Sequence, residues 1–281
     1  MSYEDQYREQ IQTILNKGKW INNKRTGTRC LTISRYVQEY YLDEKSTPLL
    51  QARPSYSVSA IAEVIGYLRQ YQWADEFERI GSPTWFVNAN ETKDWISNPH
   101  RLGKDHMGKV YGASVRKQDL ENVLKNISDN NDDRGLLINW WQPHTFEYGC
   151  LRPCMNQHNF SIINGVVDLT STQRSTDMMC GKNFNALQVY FLGMLAAKLS
   201  GNKGGTALHV MNHCHIYEDH LDGVEEYLSR KSAPLDTTFK IKGWVQDYRD
   251  ITQNDDHARE YFTLEGYKGN MQPKIDFKLI A

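Results

Sequence analysis

Residues 153–217 read PCMNQHNFSIINGVVDLTSTQRSTDMMCGKNFNALQVYFLGMLAAKLSGNKGGTALHVMNHCHIY. Asn164-Gly165 is the sharpest signal in this stretch. Both residue types accept the left-handed backbone of a two-residue turn, and Asn-Gly between apolar runs marks a β-hairpin. The flanking runs, Asn159 to Asn164 and Val166 to Ser171, are therefore expected as strands. Asn185 to Leu199 predicts a long apolar helix stopped by Ser200-Gly201, and Thr206 to Met211 a further strand. The hairpin brings Arg152-Pro153-Cys154 and Thr172-Gln173-Arg174-Ser175-Thr176-Asp177 to one edge of a sheet.

Outward from this block, Tyr3 to Lys17 predicts a helix with Tyr7, Ile11, Ile14 and Leu15 on one face. Residues 22–27 read as a turn and Cys30 to Ile33 as the start of a strand. A second helix is expected from about Ser57 to Gln72, carrying Ile61, Val64, Ile65 and Leu68. Asn88 to Gly108 is polar and reads as an irregular excursion. Lys117 to Ser128 predicts a helix ending in the acidic turn 129–133, and Leu136 to Trp141 a strand. Thr237 to Val245 and Tyr261 to Leu264 close the strands, before a tail from Gly266 to Ala281. Strands and helices mix without βαβ alternation, so the expected class is α+β, as one domain over residues 1–281.

The bulk numbers remove several functions. Thirty-three basic and 34 acidic residues leave a formal charge of −1. No broad field attracts nucleic acid or a membrane surface, so any anion site is local. No run approaches the ~20 apolar residues that span a bilayer, and the opening MSYEDQYREQ is unlike a signal peptide. A cytoplasmic protein is expected. Five scattered cysteines do not form a secreted disulfide framework, so reduced thiols are the default.

Cys154 near Arg174 is a candidate nucleophile, because a cation favours the thiolate. Arg174 and Ser175 could also grip a phosphate. Against this, a lone cysteine is more often a small buried apolar residue, and a lone arginine is usually solvated. A metal reading rests on Cys150-x3-Cys154 and His213-Cys214-His215. With one close cysteine pair, and His213 and Cys214 on opposite faces of a strand, no metal is expected.

Order and spacing decide between these readings. Pro153-Cys154, Gln173-Arg174-Ser175-Thr176-Asp177, Phe184-Asn185 and His215-Ile216-Tyr217 closely resemble the central block of the thymidylate synthase family. Arg25-Thr26-Gly27-Thr28 is similar to its phosphate loop, Glu63 to its helix glutamate, Val110-Tyr111-Gly112 to its Val-Tyr-Gly turn, and Glu265-Gly266-Tyr267 to its C-terminal motif. The resemblance covers nearly the whole chain.

It implies a mixed sheet packed with helices, a sheet-to-sheet homodimer with shared sites, a dUMP-like substrate and 5,10-methylenetetrahydrofolate as carbon donor. Cys154 would add to C6 of the pyrimidine. Arg25, Arg174 and Ser175 would hold the 5′-phosphate, and Arg134 that of the neighbouring subunit. Thr176 and Asp177 would line the nucleotide site, and Asn185 would read the base, since an amide complements O4 and N3–H of uracil. His215 and Tyr217 would take the ribose hydroxyl. Glu63 would organise water for proton transfer, helped by Tyr111. Asp177, Trp95 and Ile280 would meet the folate, with the tail closing over it. Two residues have plain structural readings beside these: Asn185 as a helix N-cap and Glu63 as a solvated helix-edge carboxylate.

Three departures from the family pattern stand out. Met155 replaces a histidine after the nucleophile, Arg134-Gly135 replaces an arginine pair, and residues 88–108 differ from the usual Trp-rich stretch, of which Trp95 is the expected remnant. They keep a pyrimidine nucleotide hydroxymethylase as the alternative, on dUMP, dCMP or CMP. An inactive nucleotide-binding relative is the non-enzymatic alternative.

Overall fold

The computed structural model describes residues 2–22, 27–232, 236–269 and 272–279. Arg25, Thr26 and Ile280 lie outside the described residues. Helix α1 (Tyr3–Lys17) matches its expected bounds. A capping box at Ser2 and Asp5 starts it, and Tyr7, Ile11 and Ile14 bury its apolar face.

One sheet organises the molecule. Its strands are β1 (Lys19–Asn22), β2 (Arg29–Tyr41), β3 (Leu137–Asn139), β4 (Met155–Ile163), β5 (Val166–Gln173), β6 (Thr176–Asp177) and β7 (Lys203–Tyr217). They lie in the order β1-β2-β7-β5-β4-β3, with β6 beside β7. The β5–β7 and β6–β7 pairs are parallel and the others antiparallel, which makes the sheet mixed. Asn164 and Gly165, at φ 52° and 76°, form the expected tight turn between β4 and β5. The first strand was not anticipated: Lys19–Asn22 pairs with Arg29–Thr32 although no alternation of buried residues marks it.

The helices are α2 (Ser57–Leu68), α3 (Ala74–Arg79), α4 (Phe86–Glu91), α5 (Lys93–Ile96), α6 (Lys117–Ser128), α7 (Lys182–Ser200), α8 (Leu221–Ser229) and α9 (Tyr248–Thr252). A small antiparallel pair, β8 (Thr238–Ile241) and β9 (Phe262–Glu265), lies apart from the main sheet. Helix α2 stops short of Gln72 because Gln70 turns left-handed, at φ 59°. Its amide then donates to the carbonyls of Gly112 and Val115, at 2.8 and 2.7 Å. The excursion at 88–108 holds two helices, α4 and α5, too short to show periodicity. Helix α7 begins one turn before Asn185. It is buried on nearly all sides, against α2 and the sheet. No helix among the described residues is long and apolar enough to cross a membrane.

Candidate active site

Cys154 stands just before β4, and Arg174 just after β5. The antiparallel pairing makes them neighbours: the Arg174 N–H donates to the Cys154 carbonyl at 2.9 Å. The Arg174 guanidinium donates to the carbonyls of Pro153 (2.8 Å) and Arg152 (2.9 Å), which aims it, and lies 4.0 Å from the Cys154 sulfur. A fixed cation at that distance favours negative charge on sulfur. The thiol itself is half-buried.

Tyr111 backs Cys154. Its hydroxyl accepts the Cys154 N–H at 3.0 Å. Its ring stacks on Tyr67, with centroids 4.3 Å apart and planes 8° from parallel. Tyr111 has φ 44°, a conformation that costs a bulky residue about 1–3 kcal/mol. Gly112 explains how the turn fits: a Cβ there would lie 1.7 Å from the Tyr67 carbonyl oxygen. Burial holds the Tyr111 hydroxyl protonated well beyond its ordinary range.

Glu63 lies on α2 and is 7% exposed, so the solvated-edge reading fails. Burial pushes its carboxyl up to about 7, against hydrogen bonds from Tyr67, Gln188 and Thr84 that hold it down. Gln188 donates to one carboxylate oxygen at 2.8 Å, and Thr84 lies 3.4 Å from the other. A carboxyl poised near neutrality suits proton transfer. Tyr67 and Gln188 were missed from the sequence. The signal available was their spacing, Tyr67 one turn after Glu63 and Gln188 one turn after Asn185.

Asn185 is inside α7, so the N-cap reading is overturned: its N–H is already bonded to the Gly181 carbonyl at 2.8 Å. Its side chain is held at both atoms. Gln173 donates to Oδ1 at 3.0 Å, and Nδ2 donates to Gln188 at 2.9 Å. His215 and Tyr217 share a face of β7, with rings 4.9 Å apart. The His215 Nδ1 donates to the His213 carbonyl at 2.6 Å, which leaves Nε2 as an acceptor.

The remaining predicted residues divide. Ser175 follows Arg174, and its carbonyl accepts from Gln173 at 2.9 Å. Asp177 accepts the N–H groups of Met179 and Cys180, at 2.9 and 3.1 Å, and keeps its side chain partly exposed. Thr176 is fully buried and pairs with Cys214 through β6. Trp95 is 2% exposed, and its indole N–H is taken by the His106 carbonyl at 2.6 Å. Trp85, not Trp95, packs beside Tyr67 and Tyr111. Arg134 is exposed, at φ 66°, and stands apart from this group. Met155, the first residue of β4, is buried. Tyr267 ties the tail down, accepting the Ser55 N–H at 2.6 Å and donating to the Leu50 carbonyl at 3.0 Å.

A family model described as thymidylate synthase matches residues 5–281. A protein named thymidylate synthase from Shewanella halifaxensis is 44% identical, over 98% of this chain and 99% of its own length. Another of that name, from Pseudoalteromonas translucida, is 40% identical over 94% and 95%. One from Aliivibrio fischeri is 38% identical over 98% and 99%. With Cys154, Arg174, the buried Glu63 and the oriented Asn185 in these places, the chain belongs to the thymidylate synthase family.

Proposed function

We propose that this protein methylates C5 of dUMP to give dTMP, with 5,10-methylenetetrahydrofolate as donor of carbon and hydride and dihydrofolate as the second product. The observation that carries the base is the orientation of Asn185. With Oδ1 bonded to Gln173 and Nδ2 bonded to Gln188, one further N–H and one further lone pair remain. That pair complements O4 and N3–H of uracil and mismatches the amino group and N3 of cytosine.

The Cys154 thiolate, favoured by Arg174, adds to C6 and makes C5 nucleophilic toward the one-carbon unit. Glu63 and Tyr111 move protons, Glu63 near its midpoint at neutral pH. Cys154 leaves as thiolate when the product forms. Arg174 and Ser175 hold the phosphate, with Arg25 and a neighbouring subunit's Arg134. The sheet supports such a homodimer: Val37 and Tyr41 lie on one face of β2 and are 49% and 64% exposed. His215 and Tyr217 take the ribose hydroxyl, and Asp177 faces the folate.

Product identity tests the reading. Enzyme, dUMP and methylenetetrahydrofolate should give dTMP and dihydrofolate in equal amounts, resolved by mass. Hydroxymethyl-dUMP without dihydrofolate would replace it with the hydroxymethylase. Cys154→Ser should abolish turnover and still bind dUMP.

A further inference from the structure

Lys182, at the start of α7, is fully buried, and the chemistry above does not use it. Its amine meets phenols where a buried lysine usually meets a carboxylate. Nζ lies 2.9 Å from the Tyr40 hydroxyl and 3.5 Å from that of Tyr3, and 5.1 and 5.3 Å from the Tyr3 and Tyr40 ring centres. The Tyr40 hydroxyl is 3.1 Å from Nδ1 of His209, and Nε2 of His209 is 2.9 Å from Oε1 of Gln173. From Gln173 the bonds run to Asn185 (3.0 Å), Gln188 (2.9 Å) and Glu63 (2.8 Å). An unbroken chain thus joins a buried lysine to the buried carboxyl, through the residue that reads the base.

Such a chain has one direction when its ends are unlike. An ammonium only donates, and Glu63, once ionised, only accepts. Every member between them must accept on the lysine side and donate on the Glu63 side. An independent contact agrees: Gln173 Nε2 also donates to the Ser175 carbonyl at 2.9 Å, so its Oε1 faces His209. His209 must then donate from Nε2 and, being neutral, accept at Nδ1. Burial, then the nearby Lys182 charge, keeps His209 neutral. Tyr40 therefore gives its proton to His209 and accepts from Lys182. Its other acceptor, Gln38 Oε1, is farther, at 3.3 Å. Giving the proton there would turn His209 over and set the Gln173 oxygen against the Ser175 carbonyl.

We propose that Lys182 is a positioning residue for base selection: by donating to Tyr40 it fixes the direction of this chain, and so the orientation of the Asn185 amide. The inference rests on the uracil reading above. Without the lysine, Tyr40 and His209 lose the charge that sets their direction, and only the Ser175 carbonyl and Glu63 still oppose a reversed Asn185 amide, which complements cytosine.

The lysine is itself titratable. Burial draws it down to about 7. The groups facing it are Tyr3 from α1, Tyr40 from β2, and His209 and Cys214 from β7. Burial holds the two phenols and the thiol well above neutrality, Cys214 at about 11, and His209 well below it. As pH rises past about 7, Lys182 gains a lone pair and its hold on the direction loosens, while Glu63, ionising over the same range, becomes acceptor-only at the far end.

The test is the ratio of dUMP to dCMP affinity, by calorimetry, in wild type, Lys182→Met and Tyr40→Phe, with thermal unfolding as the folding control. The ratio should fall about tenfold in either folded variant. The dependence of the ratio on pH around 7 should differ between wild type and Lys182→Met, because of the two chain ends only Glu63 titrates in the variant. Tyr40→Phe, which keeps the charge and cuts the chain, decides the matter if Lys182→Met does not fold. A wild type that prefers dUMP, with the ratio unchanged in a folded variant, overturns the role of Lys182 alone. A wild type that does not prefer dUMP overturns the uracil reading and this inference with it.

Discussion

Helices α2 and α6 have the same length, 12 residues, and opposite surroundings. Helix α6 buries only Leu120, Leu124 and Ile127, along one stripe. Its other faces carry surface pairs such as Lys117–Glu121, 3.8 Å apart. Helix α2 buries ten of its residues, between α7 and the segments at 74–85 and 111–114. A carboxylate on α6 is ordinary solvation. On α2 the same group, Glu63, must be stabilised by neighbours or lose its charge, and it is shared between Gln188, Thr84 and Tyr67. The contrast shows that burial decides whether a charged residue on a helix carries meaning.

Substitutions on the two helices sharpen the contrast. The largest effect is expected from Glu63→Gln: turnover of dUMP should fall about 10²-fold or more, read from steady-state kinetics at saturating substrates. Stability should move the other way. The folded protein binds the Glu63 proton more tightly than the unfolded chain does. That contribution is complete below about pH 4.5 and lost as pH rises through about 7. Glu63→Gln does not lose it, so its unfolding midpoint should gain on wild type across that window, by at most about 3 kcal/mol above pH 7.

Gly66→Ala comes next. A Cβ at Gly66 would lie 2.3 Å from the ring of Phe77, itself fully buried. Overpacking of about 1–3 kcal/mol should lower the urea midpoint at an unchanged m-value. The smallest effect belongs to α6. Glu121→Ala removes the half-buried partner of a surface pair and should shift the same midpoint by less than about 0.5 kcal/mol. A larger loss there would break the contrast.

What the sequence disclosed follows the same division. Helices α1 and α6 were legible to the residue because one face is apolar and the other polar. Asn164-Gly165 fixed its hairpin because the turn chemistry is local. Helix α7 gave no such edge: buried on nearly all sides, it lacks a polar stripe, and its first turn, with Lys182, lies before the expected start at Asn185. Strand β7 starts at Lys203 and runs unbroken to Tyr217, joining the expected Thr206–Met211 to the strand read at His213–His215, because β2 and β5 hold its polar residues. In the site, Cys154, Arg174, Glu63 and Asn185 were legible through motif order. The neighbours that orient them were not. Tyr40, Gln173, Lys182 and His209 come from separate elements, and only the closed sheet brings them together.

The parallel pairing of β5 with β7 has a consequence for how the molecule assembles. Parallel strands need a crossover, and here it is α7, so residues 166–217 form one contiguous βαβ unit. Gln173, Lys182, Asn185, Gln188, His209 and His215 all lie inside it. A unit of this kind opens and closes cooperatively as a foldon, and its amides should rank among the slowest to exchange with deuterium. Glu63 and Tyr40 arrive from outside, on α2 and β2. The residues around Asn185 from β5, α7 and β7 thus belong to one contiguous segment, onto which Glu63 must dock from α2.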